Sequence, residues 1–355
     1  MTCFSAFLKS NLPRRGGFYL LVWLVCIGGL IASPHSVQAA GEKKVQIKIA
    51  TLAPEGSMWM KILHDLDSEL KSKTNGSVSF KFYPGGVSGD EMDVIRKMRI
   101  GQIHAAGFTG VGIGEILPEV RVLDLPFLFN NDKEVEYIYK KLNDHFAARF
   151  KEKGHILLGW VPVGWIHFFS RREIRLLDDL NNTKAWMWEG DPLVREAYKT
   201  IHVTPYPLSI TDVLMSLQTG LVETVYASPL AAVALQWFTK VKHMSQVRMS
   251  YGTGGVLMSK DKFDELPEEY RTALTELSRK HLNRLMEGVK HDNEKAIETM
   301  KKNGVTMLPM PNKEELEKFY QAGETVRKNL TGNLYSQELL DKTLSYLKEA
   351  RSISQ

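Results

Sequence analysis

Aromatic side chains crowd two stretches of this sequence: Trp160, Trp165, Phe168 and Phe169 in the first, Trp186 and Trp188 in the second, with Tyr226 further on. A tryptophan presents a broad apolar face with one polar edge, which suits it to burying a ring or chain, or to holding a cation over its face. Tyr226 and Ser228 add hydroxyls that can hydrogen-bond a solute. Such a set binds rather than reacts.

Patterns that would support catalysis are weak. Gly-x-Ser-x-Gly does not occur, and His64, His104, His167 and His243 lie scattered, without the spacing of a zinc site. Gly110-Val111-Gly112-Ile113-Gly114 invites a dinucleotide reading, yet Glu115 stands where the third glycine belongs and Pro118 follows soon after, so a cleft loop is expected there. Asp90, Glu91 and Asp93 lack the alternation of a calcium loop and suit a helix N-terminus. Both cysteines, Cys3 and Cys26, fall in the first forty residues. No cofactor or metal is expected.

Those forty residues read as a secretory signal, with basic Lys9, Arg14 and Arg15, an apolar run from Phe18 to Ile31, and a small-residue cleavage site beside Ala40. The run falls short of the ~20 residues of a membrane span, and Gly16-Gly17 spaces the arginine pair poorly for twin-arginine export, so ordinary export is expected. Losing the three basic residues takes the net charge from +5 to +2, too little for a nucleic-acid footprint. A soluble periplasmic protein without a thiol is the expectation.

The elements that must position the aromatic set follow from periodicity. Strands at 45–53, 78–83 and 104–109 alternate with helices at 57–73 and 90–100, a βαβαβ run that predicts a mostly parallel sheet covered by helices. A helix at 132–153 leads into an apolar strand at 156–163. The pattern then restarts, with short strands at 185–188 and 222–227 among helices near 193–201, 210–219 and 230–237. A strand at 255–259 precedes helices at 268–302, 313–330 and 337–349. With 355 residues available, two α/β lobes are predicted: 41–163 plus about 252–300, and 164–251 plus about 301–355 with the C-terminal helices, hinged near Val163 and Tyr251.

Several separated segments resemble the solute-binding proteins of TRAP transporters, the dicarboxylate-type periplasmic receptors. They are Ala50-Thr51-Leu52-Ala53-Pro54, Thr74-Asn75-Gly76, Tyr83-Pro84-Gly85-Gly86, Leu123-Asp124-Leu125-Pro126-Phe127-Leu128-Phe129, Asp179-Leu180 through Lys184, and Ser216 through Glu223. The resemblance implies a bilobed periplasmic-binding-protein fold whose two α/β lobes close over a small organic solute. It also implies delivery to membrane permease subunits, by a protein that mostly works as a monomer.

The sequence departs from that family where a carboxylate would be gripped. The resemblance places a ligand-clamping arginine two residues after Lys184, and a second one after Gly164; here those positions hold Trp186 and Ile166. The solute is therefore expected to be largely apolar or aromatic, bound by Trp186, Trp188, Ile166, Trp165 and Phe168, with Tyr226 and Ser228 supplying hydrogen bonds. Phe127 and Ser209 complete the candidate set. Arg171, Arg172 or Arg175 could replace the missing clamp from a neighbouring loop. A ligand-sensing subunit of a signalling receptor, or an exported hydrolase, remains the alternative reading.

Overall fold

The computed structural model describes residues 44–353; the expected signal segment lies outside the described residues. The first half of the chain runs β1 (Val45–Thr51), α1 (Met58–Lys73), β2 (Val78–Tyr83), α2 (Glu91–Arg99), β3 (Ala105–Thr109), α3 (Gly110–Ile116), a 3-10 turn at Pro118–Asp124, α4 (Asp132–Glu152) and β4 (His155–Trp160). It continues through β5 (Gly164–Ser170), β6 (Trp186–Trp188), α5 (Pro192–Thr200), β7 (Tyr206–Leu208), α6 (Val213–Thr219), β8 (Thr224–Ala227), α7 (Pro229–Ala234), β9 (His243–Met244) and β10 (Ser250–Gly252). The chain closes with β11 (Gly254–Ser259), α8 (Lys260–Asp264), α9 (Glu268–Lys302), β12 (Thr306–Met307), α10 (Lys313–Leu330) and α11 (Gln337–Ile353).

Lobe I is built on a sheet ordered β2-β1-β3-β11-β4, in which β1 is parallel to β2 and β3 while β11 runs antiparallel to β3 and β4. Its helices begin where the capping chemistry predicts. Ser57 accepts the Met60 N–H at the start of α1, and Asp90 and Asp93 form a reciprocal capping box at the start of α2. The apolar stripe Ile62, Leu63, Leu66 and Leu70 of α1 then packs with the first half of α9 on one face of the sheet. Helices α2, α3, α4 and α11 cover the other face.

Lobe II centres on β5, which pairs antiparallel with β8 on one side and with β9 and β10 on the other; β6 and β7 pair parallel and join β8 through an Ala185–Thr224 bridge. This central strand is missing from the sequence-based assignment. Its run Gly164-Trp165-Ile166-His167-Phe168-Phe169-Ser170 is buried on both faces over most of its length, so it lacks the alternation that marks a half-exposed strand.

Two of the chain's crossings between the lobes run side by side, at 161–163 and 252–254. The Val161 N–H donates to the Gly254 carbonyl (2.8 Å) and the Val163 N–H to the Gly252 carbonyl (2.9 Å), making a two-stranded antiparallel hinge. The C-terminal helices allot themselves differently from the expected boundaries. The second half of α9 packs on lobe II through Ile297 and Met300, and α11 returns to lobe I through Leu339, Leu340 and Leu347. Amphipathic helices dock wherever an apolar face is open, which sequence position does not specify.

Candidate functional site in the interlobe cleft

The C-terminal ends of β1, β3, β6 and β8 converge between the lobes, the place where open α/β sheets leave a crevice for ligands. A cavity of about 140 Å³ lies there, walled by Trp186, Trp188, Tyr226 and Ser228 from lobe II, Ile166 from β5, and Thr109 and Arg121 from lobe I. A second cavity of about 120 Å³ shares Thr109, Val163, Ile210, Ser228 and Ala231 with it and extends to Trp59 and Glu91.

Strand alternation decides how β6 serves this space. Trp186 and Trp188 point to one side and Met187 to the other, where it packs with Phe168, Leu180 and Tyr198. The Trp186 ring stacks on Tyr226, with centroids 4.8 Å apart and planes inclined by 22°, and meets Trp237 edge-on at 5.2 Å. Its Nε1–H donates to the Leu208 carbonyl (3.0 Å), while the Tyr226 hydroxyl accepts the Trp188 N–H (3.1 Å). Burial pushes the Tyr226 hydroxyl well above the usual phenol range, so it stays neutral. The result is a buried aromatic wall in which the indole N–H groups of Trp186 and Trp188 both have acceptors.

The opposite wall carries a buried ion cluster. Arg121 Nε–H donates to Asp124 Oδ2 (2.8 Å), and its two terminal nitrogens donate to Asp191 Oδ1 and Oδ2 (3.1 Å each). Asp124 also accepts the Thr253 N–H (2.7 Å), and Asp191 caps α5 by accepting the Leu193 N–H (2.9 Å). Burial alone would lower the Arg121 pKa, but the two carboxylates more than offset it and hold the guanidinium charged. The Gly110–Gly114 run, expected as a loop, is instead helix α3, and its glycines have a packing reason. A Cβ on Gly110 would collide with the Asp124 carboxylate, and one on Gly114 would meet Arg121 Cδ at 2.5 Å.

Asp90 ties the lobes together a second time. Besides capping α2, its carboxylate accepts Trp188 Nε1–H (3.1 Å), Ser209 Oγ–H (2.6 Å) and the Ile210 N–H (3.2 Å), all from lobe II. Its neighbour Glu91 is fully enclosed. Burial raises the Glu91 pKa to about 7, against hydrogen bonds from the Thr109 amide and hydroxyl and the Gly112 amide that favour the charged form.

Of the residues singled out from sequence, Trp186, Trp188, Ile166, Tyr226 and Ser228 come together around the cleft cavity. Ser209 stands just behind it, joined to Asp90. Trp165 and Phe127 do not reach it. Alternation along β5 turns Trp165 and His167 away from Ile166, into a separate groove of about 610 Å³ between β10, α9 and α10, where Phe127 meets Tyr320 edge-on. Phe168 packs under α5 with Tyr198 and Ile174. Arg171 donates to the Lys240 and Leu217 carbonyls, Arg172 pairs with Glu223, and Arg175 with Glu173. None of these three arginines lines the cavity.

Sequence reasoning overlooked Arg121, Asp124, Asp191 and Trp237. One signal was available: Val120-Arg121-Val122-Leu123-Asp124-Leu125 places two opposite charges three residues apart inside an apolar run, the signature of a buried pair. Nothing in the sequence points from there to Asp191.

Two α/β lobes on a double hinge, with a cavity between their strand ends, define a bilobed solute-binding protein. The family model for bacterial extracellular solute-binding proteins, family 7 (DctP), matches residues 49–333. The chain belongs to this family, the solute receptors of TRAP transporters. A solute-binding protein of Verminephrobacter eiseniae is 25% identical over 80% of this chain and 84% of its own length. The 2,3-diketo-L-gulonate-binding periplasmic protein YiaO of Escherichia coli is 26% identical over 67% of this chain and 73% of its own. The sugar acid binding protein of Advenella mimigardefordensis, solved in complex with galactonate, superposes with a TM-score of 0.81 at 20% identity, over 87% of this chain and 99% of that one, a likeness of fold.

Proposed function

We propose that this chain is exported through its N-terminal segment and acts, as a monomer, as the periplasmic receptor of a TRAP transporter for a small solute with a largely apolar or aromatic face. The lobes close on the solute and the closed form is handed unaltered to membrane permease subunits. Trp186 carries this reading: where the family resemblance puts a carboxylate-gripping arginine, it offers a neutral ring stacked on Tyr226. A space of about 140 Å³ compares with the ~150 Å³ apolar cavities that take a benzene-sized molecule.

The neighbouring hydroxyls suit binding better than catalysis. Ser228 Oγ accepts the Ala231 N–H as the cap of α7, and His167 lies on the far face of β5 with its Nδ1 against the Ser245 carbonyl. Mass spectrometry of small molecules released from the purified, denatured protein tests the reading: an aromatic or apolar species supports it, and a sugar acid or diacid overturns it. Against the solute so found, Trp186→Arg is expected to lose at least tenfold in affinity by calorimetric titration. Unchanged affinity would remove Trp186 from the site.

A further inference from the structure

We propose that Asp191 is a built-in competitor for Arg121: reaching across from lobe II, it takes the two guanidinium positions that a solute carboxylate would use, and so turns the receptor away from acids. The inference rests on the cleft being the solute site, as proposed above.

Arg121 has the makings of a carboxylate clamp. It lines the cavity, and lobe I alone aims it. Asp124, three residues on in the same 3-10 turn, holds Nε at 2.8 Å, and Gly114 leaves room for the stem, so both terminal nitrogens face lobe II. A guanidinium presented this way makes two parallel charge-assisted bonds to a carboxylate. The carboxylate that meets it belongs to the protein: both Asp191 oxygens lie 3.1 Å from the two terminal nitrogens.

Asp191 is as firmly placed as its partner. It directly follows Gly190, three residues past the end of β6, and accepts the Leu193 and Val194 amides at the start of α5, so its position does not depend on Arg121. The cluster sets the Arg121 guanidinium between the carboxyls of Asp124 and Asp191, all nearly inaccessible to solvent. A solute carboxylate entering here would meet an arginine whose two terminal nitrogens are already taken. The loss of the usual clamp at Trp186 and the capping of Arg121 by Asp191 thus act in the same direction.

Asp191→Ser tests the inference, since serine still caps α5 while removing the charge and opening space; Asp191→Asn keeps the shape and removes only the charge. Tryptophan fluorescence, which Trp186, Trp188 and Trp237 make sensitive to the cavity, is titrated with acetate, succinate and galactonate. The wild type is expected to show no saturable response at millimolar acid, and Asp191→Ser at least a tenfold gain for one of the three. Arg121→Gln added to Asp191→Ser should abolish that gain. Folded Asp191→Ser and Asp191→Asn proteins with no gain, or a gain that survives Arg121→Gln, would overturn the proposal. A wild type that already binds these acids would instead overturn the apolar-solute reading, and the competitor role would then fail if Asp191→Ser did not tighten that binding.

Discussion

Glu91 shows how burial can outweigh good hydrogen bonding at one residue. Its carboxyl, enclosed beside the cleft, has its pKa raised to about 7 although three donors from Thr109 and Gly112 favour the charged form. The unfolded chain, with an ordinary value of 4.5, releases this proton earlier than the folded one. The stability Glu91 lends is therefore complete below pH 4.5 and is lost as pH rises through 7, on the order of 3 kcal/mol in total. Glu91→Gln is expected to flatten the fall in unfolding free energy between pH 5 and about 8, measured by urea denaturation at each pH. His167 pulls the other way: burial lowers its pKa to about 4, so its protonation below its ordinary 6.5 destabilises the fold. The difference between variant and wild type isolates Glu91 from that background.

At the scale of elements, the hinge and α3 rest on backbones that approach too closely for side chains. A Cβ on Gly254 would collide with the Val161 carbonyl and lie 3.0 Å from that of Phe108, and backbone atoms cannot swing aside as a flexible side chain does. Gly254→Ala is accordingly expected to destabilise the protein by roughly 1–3 kcal/mol, read as a lowered melting temperature. The aromatic wall depends on element geometry in the same way. Three residues of β6 suffice to put Trp186 and Trp188 on the cavity side, because successive side chains alternate and the pairing of β6 with β7 holds the register.

Over the whole molecule, closure is an equilibrium that interlobe contacts bias together with the solute. Asp90 holds lobe II through three donors, Trp188, Ser209 and Ile210. Asparagine caps a helix as well as aspartate does but offers only one oxygen, so Asp90→Asn keeps α2 and weakens the interlobe clasp. Losing one charge-assisted bond costs about 2 kcal/mol, which raises the open population more than tenfold. Small-angle scattering should then report a larger radius of gyration for the variant at equal solute concentration, and saturating solute should restore the wild-type value.

Much of this protein was written in local pattern. The period-2 and period-3.6 runs predicted nearly every long element, including α9 at Glu268–Lys302 and α10 at Lys313–Leu330, because caps and amphipathic stripes act within a few residues. The family motifs brought out the bilobed receptor class, now carried by the match over residues 49–333; the motif match singled out Trp186, the loop after the Val222 strand singled out Ser228, and both line the cavity. What lay beyond local pattern was partnership over distance. β5 is buried on both faces and gave no alternation, and Trp165 and Ile166 part company only once β5 is set between β8 and β10. Arg121 and Asp191 lie 70 positions apart, and the fold alone makes them a pair. A side chain's chemistry is encoded where it stands, but which charge it meets depends on how two lobes pack, and that is a property of the tertiary structure.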